Sequence, residues 1–166
     1  NAKTGELKSV LVEEDAAWLE NENPFRWIQD GKQFLWISER NGWRSLYLVD
    51  ADGNQKPKSL IAEPMDMISL EAIDEPHGLI YFAASPKNAT QRYLYRVSIE
   101  SGSSTQVTPA ESQGWNTYQF SSTREFAVHT HSHANQPPQI DLVRLADHRV
   151  VRNLVDNQPL LQELQR

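Results

Sequence analysis

The sequence predicts an all-β fold, a partial β-propeller of about three four-stranded antiparallel blades with a short C-terminal helix. Three observations carry that expectation. Residues 38–53, SERNGWRSLYLVDADG, hold two apolar-rich runs around Asn41-Gly42, and the second run ends in Asp52-Gly53. Asn-Gly tolerates the positive φ values of a two-residue type I′ hairpin turn. Apolar positions then recur along the chain. Phe34, Ile80 and Phe126 are 46 residues apart, Leu46, Leu94 and Leu142 are 48 apart, and Ile61, Val107 and Leu154 are 46 and 47 apart. Finally, four strand-like runs fall within each period. A twelve-stranded sandwich or barrel is the competing architecture, and it supplies no reason for a fixed spacing.

The elements follow in order. Residues 6–15, ELKSVLVEED, read as the outer strand of a preceding blade. A first blade spans 22–64, with runs at 24–28, 33–40, 43–50 and 58–63. A second spans 65–110, with runs at 67–73, 78–85, 92–99 and 104–109. A third spans 111–155, with runs at 116–122, 125–131, 139–145 and 149–155. Within 156–166 the period changes: Asp156 or Asn157 can cap, Pro159 suits a first turn, and Leu160, Leu161 and Leu164 recur at helical spacing. Three blades and a strand do not close a ring, so exposed blade edges are expected to pair copies of the chain as a homodimer.

Composition bounds the function. The chain has 166 residues, 39% hydrophobic and 23% charged, enough for an ordinary core. A net charge of −6 argues against a nucleic-acid partner, because phosphate binding needs clustered Lys and Arg. No apolar run reaches the ~20 residues of a membrane span. No leader is visible, and an initial Asn in place of Met suggests an excised or processed chain. Cysteine is absent, which removes disulfides, thiolate metal sites and a Cys nucleophile.

Several residues invite a chemical reading. His129, His131 and His133 would share one face of a strand and could hold zinc with an added acid. The segment runs on into Gln136-Pro137-Pro138, read as a turn that ends strand geometry, so a polar blade edge is the preferred assignment and no metal or other cofactor is expected. Ser103 and Ser104 lie in ESGSST, a hairpin turn without the strand-to-helix geometry of a nucleophile elbow, and no Gly-x-Ser-x-Gly occurs. Asn88-Ala89-Thr90 is a glycosylation sequon, expected to be unmodified. The other aromatics, among them Trp27, Trp36, Trp43 and Trp115, are assigned to packing between blades.

The stretch FLWISERNGWRSLYLVDADG resembles the Ser-Glu-Arg-x-Gly-Trp-x-x-Leu-Tyr blade motif of the dipeptidyl peptidase IV family, prolyl-oligopeptidase-type serine peptidases. LIYFAASPKNATQRYLYRVSIESG resembles the next blade. QIDLVRLADHRVVRNLVDNQPLLQEL resembles the last blade and the helix before the catalytic domain. Ser45 departs from the His of many bacterial relatives.

The resemblance implies a non-catalytic propeller piece that gates and shapes a peptide cavity. An α/β-hydrolase domain of the same polypeptide would release N-terminal X-Pro or X-Ala dipeptides. It implies a peptide substrate and a periplasmic or secreted, bacterial setting. It places Trp18, in the crossover AAWLENENP, on the face that borders the cavity, as a substrate-binding residue. Glu13-Glu14 imitates the family's amine-anchoring pair but stands outside its insertion, and reads as a solvated pair at a strand end. A stand-alone propeller-type interaction scaffold is the alternative function.

Overall fold

The computed structural model describes residues 3–19 and 25–164. Twelve strands among them form three separate four-stranded antiparallel sheets, each ordered as a simple meander. The first holds β1 (Arg26–Ile28), β2 (Gln33–Ser38), β3 (Ser45–Asp50) and β4 (Lys58–Ser59). The second holds β5 (Met67–Asp74), β6 (Leu79–Ala84), β7 (Tyr93–Ser98) and β8 (Ser104–Gln106). The third holds β9 (Trp115–Phe120), β10 (Phe126–His133), β11 (Gln136–Arg144) and β12 (Arg149–Val155). A short helix, α1 (Gln158–Leu164), follows, and the Asp156 carboxylate accepts the Gln158 N–H 3.1 Å away. This is the partial propeller that the 46–48-residue spacing predicts.

The sheets stack through two apolar seams. Between the first and second lie Ile28, Leu35, Ile37, Leu46, Leu60, Met67, Ile80, Phe82 and Val97, with Phe82 stacked on Tyr95 at 5.6 Å. Phe82 is fully buried, so its truncation to Ala costs about 3–5 kcal/mol. The second seam is smaller: Ala72, Tyr81, Leu94, Tyr118, Ala127, Val143 and Leu145. The repeat explains both. Leu46 faces the second sheet and Leu94, 48 residues on, faces the third. Val97 packs back on the first sheet and Leu145, again 48 on, packs back on the second.

Backbone bonds fasten neighbouring sheets where each chain crosses from one to the next. The Met67 N–H donates to the Arg44 carbonyl at 2.7 Å, and the Asn116 N–H to the Arg92 carbonyl at 3.2 Å. Arg92 returns the bond, N–H to Gly114 carbonyl at 2.9 Å, in a parallel bridge with Trp115. Arg44 and Arg92 are also 48 residues apart. At the opposite end of the stack the links are made by side chains. Glu75 accepts from the Gln29 N–H at 2.8 Å, and Lys58 donates to the Glu100 carbonyl at 2.7 Å.

Three expectations require correction. The loop around Asn41-Gly42 is not a two-residue turn. Ser38 pairs with Ser45, leaving residues 39–44 outside the ladder, and only Gly42 of the Asn-Gly pair has positive φ, at 86°. Its N–H closes on the Glu39 carbonyl, and the Asn41 side chain accepts from the Trp43 N–H. Phe126 does not match Phe34 and Ile80 in facing: Ala127, paired with Val143, enters the second seam instead. Gln136-Pro137-Pro138 is not a turn but the start of β11. The ladder shifts register between His131 and His133, and that irregularity accommodates prolines that have no N–H to give.

Residues 6–15, expected as the outer strand of a preceding blade, pair with no strand among the described residues. They run instead against the first sheet. Val10 lies on Gly53, where an added Cβ would stand 3.1 Å from the Val10 Cα. Lys8 bonds the Asn54 side chain at 3.1 Å and the Asp52 carbonyl.

Candidate functional site

The crossover end of the stack holds several of the residues that the sequence singles out, though not Ser103 or Ser104. Glu13 leads into it and is not a solvated side chain. Its carboxylate accepts from the Trp36 indole N–H at 2.7 Å and the Ser38 hydroxyl at 3.0 Å, and it pairs with the Arg40 guanidinium. Arg40 also donates through Nε to the Ser38 hydroxyl at 3.0 Å and lies over the Tyr47 ring at 5.2 Å. Glu13 thus spends its acceptor capacity on the first sheet and its β2–β3 loop, while Glu14 is exposed. Val12, Glu13, Glu14 and Arg40 line a shallow opening here.

Asp15 then turns the chain. One carboxylate oxygen accepts from the N–H groups of Ala17 and Trp18, at 2.7 and 3.1 Å, an Asx-type turn. These bonds hold the Asp15 carboxyl below its ordinary range. The Trp18 indole that follows is 80% exposed, more than Trp27, Trp43 or Trp115. Pro24 and the rest of 20–24 lie outside the described residues.

Packing absorbs Tyr47, Tyr81, Phe82, Tyr93 and Tyr95 as the sequence suggests, but not every Trp. Trp43, in the β2–β3 loop, and Trp115, at the start of β9, are 41% and 51% exposed at this same end. The Arg92 guanidinium sits over the Trp115 ring at 5.6 Å while bonded to Glu71 at 2.6 Å. Trp27 is also half exposed, edge-on to Phe25 and Phe34.

The three alternate histidines do share a strand, β10, with successive ring centroids 6.0 Å apart, but each bonds a different partner. His129 is buried; its Nε2 meets the Asn116 side-chain oxygen at 2.8 Å, and its ring stacks on Tyr118. His131 Nε2 donates to the Gln113 carbonyl at 2.7 Å. Asn135 donates its N–H to His133 Nδ1. Among the described residues no group of three or more His, Cys, Asp or Glu side chains could hold a metal. His148, which sequence reading passes over, is 30 residues from Tyr118 yet bonds its hydroxyl at 2.8 Å. Burial pushes the Tyr118 phenol up and the His129 imidazole down to about 3, with the nearby His148 and His131 adding to the latter.

Neither Ser103 nor Ser104 of ESGSST is paired with a base among the described residues. Ser103 belongs to the β7–β8 turn, and the Ser104 hydroxyl is buried without a hydrogen-bond partner. In the sequon, Asn88 is exposed and its side-chain oxygen accepts from the Thr90 N–H and hydroxyl.

The family model for the dipeptidyl peptidase IV N-terminal region matches residues 1–138. The chain belongs to this family. Dipeptidyl peptidase 4 of Trichophyton equinum is 25% identical over 160 residues, 93% of this chain and 20% of that protein. Its counterpart from Arthroderma otae is 25% identical over 171 residues, 99% of this chain and 22% of that protein. The chain therefore spans about a fifth of the length of these curated relatives.

The crystal structure of Porphyromonas gingivalis dipeptidyl peptidase 4 shares the fold, with a TM-score of 0.73 at 23% identity over 85% of this chain and 19% of that one. Relatives from both fungi and a bacterium appear, so the likeness does not select the bacterial source that the sequence suggested. Among the described residues no helix is long and apolar enough to cross a membrane.

Proposed function

We propose that this chain contributes blades to the propeller of a serine-type dipeptidyl peptidase, where it gates and shapes the cavity that admits short peptides. The acyl-transfer chemistry then falls to an α/β-hydrolase domain of the same polypeptide, in a periplasmic or secreted protein. Trp18 is the residue of this chain that meets the substrate's side chains. The observation that carries the reading is the match to the dipeptidyl peptidase IV N-terminal region together with an indole held exposed at the crossover end. An exposed aromatic on a fixed loop offers a large contact at small entropic cost.

The 166-residue chain supplies no nucleophile–base pair among its described residues, so its part in the reaction is orientation and size exclusion rather than bond making. The test is an assay of both the chain and the complete polypeptide on Gly-Pro and Ala-Pro chromogenic substrates. The chain alone is expected to be inert and the complete polypeptide active. Turnover by the pure chain, or none by the complete polypeptide, overturns the proposal; the latter result favours an interaction scaffold.

A further inference from the structure

We infer that Glu13 is a positioning residue: its bonds to Trp36, Ser38 and Arg40 latch the incoming segment to the first sheet and so fix where Trp18 stands. The inference rests on the reading of Trp18 as a substrate contact, but it can fail independently.

The geometry is that of a strap fastened at two points. Lys8 ties one end to the β3–β4 turn through Asn54 and Asp52. Between the ties, Val10 seats against Gly53, whose missing side chain makes the room. Glu13 ties the other end with three donors from three different residues. Between Glu13 and Trp18 the Asp15 carboxylate organises the backbone, through the N–H groups of Ala17 and Trp18. A local turn of this kind sets the shape of residues 15–18 but not their place on the protein. That place is passed on from the last fixed point upstream, which is Glu13.

The donor set suits the task. Glu13 is 18% exposed at its side chain and Arg40 29%, so water competes only in part for the pair. The indole N–H of Trp36 and the hydroxyl of Ser38 project from one strand, two residues apart, so one carboxylate can span both. Arg40 closes the set from the β2–β3 loop. The long loop around Asn41-Gly42 brings it back to Ser38, where a two-residue hairpin turn would not.

Two measurements test this. In the first, the chain is labelled with 5-fluorotryptophan, and the Trp18 fluorine signal is assigned with Trp18→Phe. Glu13→Ala is expected to shift and narrow that signal, while Glu13→Gln, which keeps acceptors for two of the donors, moves it less. An unchanged Trp18 signal in Glu13→Ala overturns the latch.

In the second, the complete polypeptide is assayed on peptide substrates. Trp18→Ala and Glu13→Ala are each expected to raise KM by roughly three- to tenfold with kcat preserved. Adding Glu13→Ala to Trp18→Ala should change nothing further, because a residue acting through another is silent once that other is gone. A Glu13→Ala effect that persists in the Trp18→Ala background overturns the inference. A moved fluorine signal with KM unchanged in both variants upholds the latch and refutes the Trp18 contact instead.

Discussion

His129 lies flat on Tyr118, with ring centroids 4.5 Å apart and planes 10° from parallel. The pair sits in the smaller of the two seams, where apolar packing gives way to a polar cluster. Thr108 accepts the Leu94 N–H and meets the Tyr118 hydroxyl, each at 2.8 Å, and that hydroxyl meets His148. Asn116 bonds His129 through its oxygen and the carbonyls of Arg92 and Ser112 through its nitrogen. A buried cluster of this kind supports the fold only while every member keeps its partner.

Acid should therefore weaken the fold through His129. Burial lowers its folded pKa to about 3 from the ordinary 6.5, so the unfolded state binds the extra proton first as pH falls. The stabilisation is complete above pH 6.5 and is lost progressively between 6.5 and about 3, at up to about 1.4 kcal/mol per pH unit for a single such group. Urea unfolding at several pH values checks this. His129→Asn should flatten the acid limb, and an unaltered slope would count against the assignment.

Tyr118→Phe keeps the ring against His129 but removes the hydroxyl shared by Thr108 and His148. The variant should lose about 1–3 kcal/mol, since both partners are left short of a bond inside the seam. Chemical denaturation reads the loss, and a neutral result would mean that the hydroxyl's bonds are replaced by water.

Gly114→Ala should be far more damaging than Gly31→Ala. Both glycines have positive φ, 113° and 80°. A Cβ at Gly114 would stand 2.3 Å from the Ser132 carbonyl oxygen, whereas nothing lies within 4 Å of one at Gly31. Expected costs are about 1 kcal/mol at Gly31, from backbone strain alone, and several times that at Gly114, where the β9–β10 edge must move. Comparing the two melting temperatures separates strain from collision.

The outer strand β12 is exposed along its whole length, including Val150, Val151, Leu154 and Val155. Such an edge invites another strand. The isolated chain should associate with concentration in sedimentation measurements, and Val151→Lys should shift it toward the monomer. A monomer at every concentration would dispose of the edge-pairing expectation.

Fold and site differ in how much of each can be read along the chain. Strands and sheet membership were legible because they follow from alternation and repeat spacing, both local properties. The facing of Phe126 was not: β10 carries an Ala at the seam position, so the largest apolar side chain in the run is the wrong guide. The role of Glu13 was also hidden. Its donors are 23 to 27 residues away, and a charged pair beside a strand looks the same whether it meets water or an arginine. The His148–Tyr118 bond spans a hairpin whose geometry only the folded sheet supplies. Trp18 stood out because a large aromatic in a polar crossover contradicts its surroundings.

The links at Arg44 and Arg92 give the stack an uneven grip. Main-chain bonds bind adjacent sheets beside the crossovers, whereas at the far rim, among the described residues, the side chains of Glu75 and Lys58 link the first and second sheets. Leaves bound along one spine splay at the free margin. Breathing of this assembly should widen the far rim and leave the crossover end nearly constant in width, and amide exchange should be slowest at Met67 and Asn116.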